Sequence, residues 1–260
     1  MVVPLGETPI ICVANVCVPF GGAQNKTVTG HGLKNISFSL APGSRVGLVG
    51  PSAAGKTTLG MVCAGLLPPK SGNVYHFNQD IYQKKISPFS SHHAMVQMVF
   101  QDPFSALNPR RTVRSWLRFC QRKTEIPLYK KDDKAMKHLE MVNLSKSLLD
   151  RFPGQLSGGE CQRVAITASL LSEAKCLLLD EPTNMLDSIA RKQVLDALKN
   201  INNHLKTSLL YITHDLASAG DICEKIIFLY NGSIIEEGTY DELHRSGTVL
   251  VRDFFNAYQP

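Results

Sequence analysis

The sequence predicts an α/β fold: a mostly parallel sheet covered by helices on both faces, with a helical subdomain inserted into it. Three observations predict it. Short apolar strings recur along the chain and alternate with helical patterns. The strings are short and rich in Val, Ile and Leu, as strands buried on both faces must be. The stretch 102–160 breaks that alternation with helices only, which marks an insertion.

The elements follow in chain order. Val46–Val49 is a strand that runs into Gly-rich turn residues, and Thr58–Leu66 then reads as a helix. Met95–Phe100 alternates apolar and polar, as a strand does. Residues 113–150 read as helical, with Trp116, Leu117 and Phe119, then Met136, Leu139 and Val142, at helical spacings. Val164–Leu171 continues a helix, and Leu177–Leu179 is a short strand that meets Asp180. Ser188–Ile201 reads as helix, Leu209–Ile212 as strand, Leu216–Cys223 as helix and Ile226–Leu229 as strand. Asn231-Gly232 is a hairpin turn before Ile234–Ile235, because both central residues of that turn need positive φ.

Composition narrows the function classes. The chain has 260 residues, 43% hydrophobic and 19% charged, enough to bury a core and too little charge for a disordered chain. No apolar run approaches the ~20 residues of a membrane helix. The N-terminal stretch has no Lys or Arg before Lys26 and is interrupted by Pro4, Pro9 and Pro19, so it makes a poor signal peptide. The 7 cysteines form no CxxC pair and read as free thiols of a reducing compartment. The formal net charge is +6, and it is concentrated: between Arg110 and Arg151 twelve Lys/Arg face five Asp/Glu. That segment suits an anionic surface, nucleic acid or lipid headgroups, or else a solvated helical face.

Three motifs carry chemistry. Residues 50–58 read Gly-Pro-Ser-Ala-Ala-Gly-Lys-Thr-Thr, a G-x-x-x-x-G-K-T loop between a strand and a helix. In such a loop the glycines let the backbone curl around phosphates and the amides point at the anion. Lys56 reaches the β- and γ-phosphates, and Thr57 offers a hydroxyl to magnesium. Residues 176–182, Cys-Leu-Leu-Leu-Asp-Glu-Pro, bring Asp180 to the carboxyl end of the sheet, where ligands of open α/β sheets bind. Asp180 would hold magnesium, and Glu181 is placed to orient and deprotonate an attacking water. Residues 156–163, Leu-Ser-Gly-Gly-Glu-Cys-Gln-Arg, open a helix with Ser157, Gly158 and Gly159, a second surface for phosphate.

The set resembles the ATP-binding subunit of an ABC transporter. The phosphate loop (Gly50, Pro51, Ser52, Ala53, Ala54, Gly55, Lys56, Thr57, Thr58), Gln101, the L-S-G-G-E signature ending in Glu160, Asp180 with Glu181, Met185-Leu186-Asp187 and Thr213-His214-Asp215 occur in the family's order and cover most of the chain. The resemblance implies a single P-loop ATPase domain over 1–260, an ABC nucleotide-binding domain with its helical subdomain at about 102–160 and an N-terminal antiparallel β region. It implies ATP and Mg2+ as ligands, with Thr57, Gln101 and Asp180 toward the metal. Glu181, His214, Gln101 and Lys56 would be catalytic, with His214 on the γ-phosphate and Gln101 near the attacking water. It also implies a dimer that sandwiches nucleotide between the phosphate loop of one subunit and the signature of the other, with Asp187 crossing the interface. Phe20 is the candidate for stacking on adenine; a core or turn role is its alternative.

The string Gln-Asp-Pro-Phe-Ser-Ala-Leu-Asn-Pro-Arg-Arg-Thr-Val at 101–113 resembles the ATPases of nickel, dipeptide and oligopeptide importers. By that resemblance the partners are a second, different ABC ATPase, two transmembrane permeases and, indirectly, an extracytoplasmic solute-binding protein, at the cytoplasmic face of a bacterial plasma membrane. No nucleic acid is expected, although a soluble ABC ATPase acting on nucleic acid or the ribosome is the more distant alternative. Two departures stand out: Ala53 where the family often has Gly, and Glu160 where it commonly has Gln. No cysteine follows Cys223 and the chain ends at Pro260, which favours a nickel-type subunit over peptide relatives with long C-terminal extensions.

Overall fold

The computed structural model describes residues 8–19, 32–82 and 94–257. Two sheets face each other. The first is antiparallel, in the order β2-β1-β4-β5: β1 (Ile11–Val18), β2 (Leu33–Leu40), β4 (Ser71–His76) and β5 (Gln79–Asp80). The second, in the order β10-β9-β3-β8-β7-β6, is parallel through β3 (Arg45–Val49), β6 (Val96–Val99), β7 (Cys176–Asp180), β8 (Ser208–Thr213) and β9 (Lys225–Tyr230). Only its edge strand β10 (Ser233–Gly238) runs antiparallel, returned by Asn231 (φ 46°) and Gly232 (φ 77°) as the hairpin expectation required.

The large sheet is buried on both faces, and the side chains show it by period two. Cys176, Leu178, Leu210 and Ile212 enter the core shared with the antiparallel sheet. Their neighbours Leu177, Leu179, Leu209 and Tyr211 enter a second core under the helical layer. Between the sheets lies α1 (Lys56–Cys63), with Leu59 and Val62 fully buried. Further helices among the described residues are α2 (Val113–Cys120), α3 (Leu128–Met141), α4 (Gly158–Leu171), α5 (Ser188–Leu205), α6 (Leu216–Ile222), α7 (Tyr240–His244) and α8 (Val249–Ala257).

Helix ends differ from the sequence expectation for identifiable reasons. The helix expected over Thr58–Leu66 starts at Lys56 and stops at Cys63. Gly65 takes φ 76°, and Leu66 N–H bonds back to the Met61 carbonyl at 2.9 Å, a left-handed stop the apolar pattern does not reveal. The helical stretch expected over 113–150 is two helices and two 3-10 turns. Pro127 sits at the start of α3, and Asn143 (φ 56°) ends it.

Part of the basic surplus acts inside this helical layer. Arg114 bonds Asp132 at 2.7 Å and Asp150 at 2.9 Å, and Arg118 bonds Asp132 at 2.7 Å. These pairs tie α2 to α3 and to the turn Lys146–Asp150. The Arg118 and Arg114 hydrogen bonds hold the Asp132 carboxyl below its ordinary 3.8. A carboxyl depressed by folding stabilises at neutral pH, and that stabilisation is lost as pH falls below its unfolded value. Asp132→Ala is therefore expected to lower Tm by about 2–4 °C in low salt. The gap from wild type should hold down to about pH 3.8 and narrow as thermal melts are taken further below it, toward the lowered folded value; a gap that does not narrow below pH 3.8 would assign the loss to packing.

Candidate nucleotide site

β3, β8 and β7 lie side by side, and their carboxyl ends deliver the site: Gly50 after β3, Asp180 at the end of β7, His214 after β8. Gly50 is required by contact, because a Cβ there would stand 2.0 Å from the Leu229 carbonyl of β9. The loop then turns through Ala53 (φ 63°) and Gly55 (φ 104°). Ala53 thus carries a left-handed conformation that a glycine would adopt more cheaply. Ala54 accepts from Gly232 N–H at 3.0 Å, which braces the loop against the β9–β10 hairpin. Pro51, Ser52 and Ala53 form the accessible rim, Ala54 and Gly55 are buried, and Thr58 is half-buried in the first turn of α1.

Lys56 is only 7% exposed. Its ammonium donates to the Gly50 and Pro51 carbonyls, both at 2.9 Å. Burial lowers its pKa, and the negative Glu181 and Asp180 nearby oppose that fall. Asp180, 4% exposed, is pushed the other way: burial raises its carboxyl, against the Thr57 hydrogen bond, while Glu181 adds to the rise. Thr57 Oγ1 donates to Asp180 Oδ1 at 3.0 Å, so the hydroxyl and the carboxylate expected to hold a metal are already adjacent. Both are hard oxygen donors, the chemistry that Mg2+ takes. Among the described residues no group of three or more His, Cys, Asp and Glu forms a metal cage. That also suits Mg2+, which keeps waters and phosphate oxygens.

Glu181 has φ 48°, held by its N–H on the Ile212 carbonyl at 2.8 Å and its carbonyl on Asn184 N–H at 3.0 Å. Its carboxylate meets His214 Nδ1 at 2.8 and 2.9 Å. Carboxylate oxygens accept, so Nδ1 is the donor and this contact fixes the imidazole's orientation. Sequence reasoning placed both residues in the site but gave no hint that they would bond each other.

The other expected residues are placed less directly. Val99 pairs with Leu179, so Gln101 and Glu181 each lie two residues beyond the last pair of neighbouring strands. Gln101 is exposed, and no hydrogen bond among the described residues joins it to Thr57 or Asp180. The loop after it is built from Asp102, which accepts from Phe104 N–H at 3.0 Å, and Asn108, which accepts from Arg110 N–H at 3.0 Å. Asp187 caps α5, accepting from Ala190 N–H at 2.8 Å. It stands between Met185, 90% exposed, and Ile189, 72% exposed. Phe20 lies outside the described residues.

In the signature, Ser157 and Glu160 form a reciprocal cap. Glu160 N–H donates to Ser157 Oγ at 3.2 Å, and Ser157 N–H to Glu160 Oε2 at 2.8 Å. Glutamate and glutamine serve this cap equally well. Of the glycine pair, Gly159 has a packing cause that the sequence did not disclose, while a side chain at Gly158 would make only an ordinary contact. A Cβ on Gly159 would stand 3.0 Å from Ala190, and one on Gly158 3.4 Å from Leu186. α4 is thereby pressed against the loop 181–187 and the start of α5.

A family model described as ABC transporter matches residues 33–184. The chain belongs to the ABC transporter family. Its relatives include the nickel import ATP-binding protein NikE of Shigella boydii, 37% identical over 218 residues, 83% of this chain and 81% of that one. The oligopeptide transport ATP-binding protein OppF of Salmonella typhimurium is 32% identical over 213 residues, 81% of this chain and 64% of that one. Among solved structures, cbiO1 from Clostridium perfringens, part of the ABC transporter complex cbiONQ, superposes with a TM-score of 0.79 at 26% identity, over 98% of this chain and 97% of that one. The ATP-binding cassette MJ0796, in a dimeric post-hydrolysis state bound to ADP and Pi, gives 0.74 at 26% identity, over 88% and 98% of the two chains. The ABC ATPase fold expected from the motifs, with its antiparallel β sheet and helical subdomain, is the fold observed. The chain is an ATP-binding ABC ATPase.

Proposed function

We propose that this chain is the ATP-hydrolysing, energy-coupling subunit of an importer for nickel or a metal–chelator complex. What carries the proposal is the pairing of Thr57 with Asp180 and of Glu181 with His214 at the ends of adjacent parallel strands, beside the buried ammonium of Lys56. The loop amides from Gly50 to Thr58 and Lys56 bind the phosphates. Mg2+, held by Thr57 and Asp180 with Gln101 nearby, would neutralise charge on the phosphoryl group. Glu181, oriented by His214, takes the proton of the attacking water, and His214 also serves the γ-phosphate. Lys56 and Asp180 are both pushed toward their neutral forms by burial. Each gains a counter-charge when nucleotide and cation arrive, so binding relieves a cost the fold already carries.

No hydrogen bond among the described residues links Ser157, Gly158, Gly159 or Glu160 to the phosphate loop of the same chain. This suits a head-to-tail dimer in which the signature completes the partner's site and Asp187, with exposed Met185 and Ile189, meets the partner. MJ0796 is dimeric. The partner is a second, different ABC ATPase, and the pair works on two permeases with a solute-binding protein beyond them. The unit is one domain over 1–260, with its helical subdomain at about 102–160 and Phe20 against the adenine. No helix among the described residues is long and apolar enough to cross a membrane. The chain is peripheral on the cytoplasmic face of a bacterial plasma membrane, and no nucleic acid takes part.

The second solute class is di- or oligopeptides, favoured by the likeness to OppF; the more complete match to NikE supports nickel. The test is nickel uptake in metal-poor medium by cells whose only copy carries Lys56→Ala, beside wild type. Lost uptake with the protein still expressed is expected. Unchanged nickel uptake together with lost peptide-dependent growth would transfer the function to peptides.

A further inference from the structure

Behind the Glu181–His214 pair runs a buried chain of hydroxyls that the proposed chemistry does not use. Tyr211 lies in β8, fully buried, with Leu179 and Gly47 as its register partners on the flanking strands. Its hydroxyl is 2.9 Å from Thr183 Oγ1 and donates to Ser218 Oγ at 3.3 Å. Ser218 Oγ donates to the Asp215 carbonyl at 3.0 Å. A carbonyl only accepts, so the direction of the whole chain is set: Thr183 to Tyr211, Tyr211 to Ser218, Ser218 to Asp215. Burial pushes the Tyr211 phenol up to about 12, so it keeps its proton at any physiological pH.

The two ends of this chain are the two loops of the site. Thr183 stands two residues after Glu181, and Asp215 directly follows His214 and caps α6. A second tie runs in parallel, from Arg191 in the first turn of α5 to Asp215 at 3.3 Å. The loop 181–187 has reason to need ties. Glu181 (φ 48°) and Met185 (φ 62°) both hold left-handed conformations that persist only where the surroundings enforce them. A phenylalanine would fill the core equally well at Tyr211; what the hydroxyl adds is the bridge.

We propose that Tyr211 is a positioning residue: its hydroxyl ties the loop 181–187 to the cap of α6, so that Glu181 and His214 keep their mutual geometry through hydrolysis. This rests on the ATPase role given to Glu181 above.

The test compares wild type, Tyr211→Phe, Thr183→Val and the double variant in the assembled transport complex, by steady-state ATP hydrolysis and by amide hydrogen exchange. Tyr211→Phe, which removes the bonds to both Thr183 and Ser218, is expected to lower kcat by about three- to tenfold, within the range that buried hydrogen bonds contribute. KM for ATP should stay unchanged, since the phosphate loop is untouched. Thr183→Val should do the same, and the double variant should be no worse than either single one. Exchange should quicken together at Asn184–Leu186 and at Ala217–Ser218, with β3 and β7 unaffected. Unchanged kcat with unchanged exchange overturns the proposal. So does a kcat loss accompanied by faster exchange throughout the core, which would make Tyr211 a packing residue. If wild type itself hydrolyses no ATP, the ATPase reading fails, and exchange alone decides the tie: paired quickening of the two loops upholds it, and its absence overturns it.

Discussion

Lys56→Ala is expected to lower ATP turnover at least about 100-fold, the scale on which a single preorganised charged donor contributes to a transition state. It should also weaken ATP binding, because the lysine acts on phosphate in the ground state as well. Three features of this site make the effect large. Lys56 is 7% exposed, so its charge is less screened by water than that of a surface lysine. It is held by the Gly50 and Pro51 carbonyls, so it approaches phosphate from a fixed position within the loop. And it is the cation beside Asp180 and Glu181, whose charges would otherwise repel an incoming triphosphate. Calorimetric titration with a non-hydrolysable ATP analogue reads the binding, and phosphate release reads the turnover. A variant that melts like wild type and still hydrolyses ATP at the wild-type rate would falsify the role given to Lys56.

The elements that position this site were legible because each has a local signature. An apolar strand meeting Gly-x-x-x-x-Gly-Lys-Thr, another meeting Asp180-Glu181, and Asn231-Gly232 before β10 all rest on short-range chemistry. The helix boundaries at Cys63 and Met141 were less legible. They depend on Gly65 and Asn143 adopting left-handed backbone, which many glycines and asparagines do not. The long-range details of the site were not legible at all. That Tyr211 must reach Thr183 and that Glu181 must bond His214 are consequences of strands β7 and β8 lying adjacent, while Gly159 faces Ala190 because α4 packs on α5, and Tyr211 meets Ser218 because α6 folds back on β8. A hydrophobic pattern fixes which face of β8 carries Tyr211, but not what its hydroxyl meets. Glu160 shows the converse: read as an odd signature residue, it forms a capping box whose pattern, Ser-x-x-Glu, stands in the sequence.

Glu181→Gln separates chemistry from binding more cleanly than any change in the phosphate loop. The amide has nearly the carboxylate's shape, and its oxygen can still accept from His214 Nδ1, so the pair at 2.8–2.9 Å survives the change. Lys56 keeps its contacts to Gly50 and Pro51, and Thr57 its contact to Asp180. What the variant loses is the capacity to take a proton. ATP binding should therefore stay near wild type, while single-turnover hydrolysis slows by about 10²- to 10⁴-fold, the usual size of a general-base contribution. Because ATP would then bind without being consumed at this site, the closed pair with the proposed partner ATPase should accumulate, which size-exclusion chromatography of the two subunits together in ATP and Mg2+ reads directly. Lys56→Ala predicts the opposite pattern, with weak binding and no ATP-driven dimer. If Glu181→Gln instead hydrolyses ATP as fast as wild type, the base must be sought elsewhere. If it binds ATP as poorly as Lys56→Ala, Glu181 acts in the ground state, and its contact with His214 serves to shape the pocket rather than to move a proton.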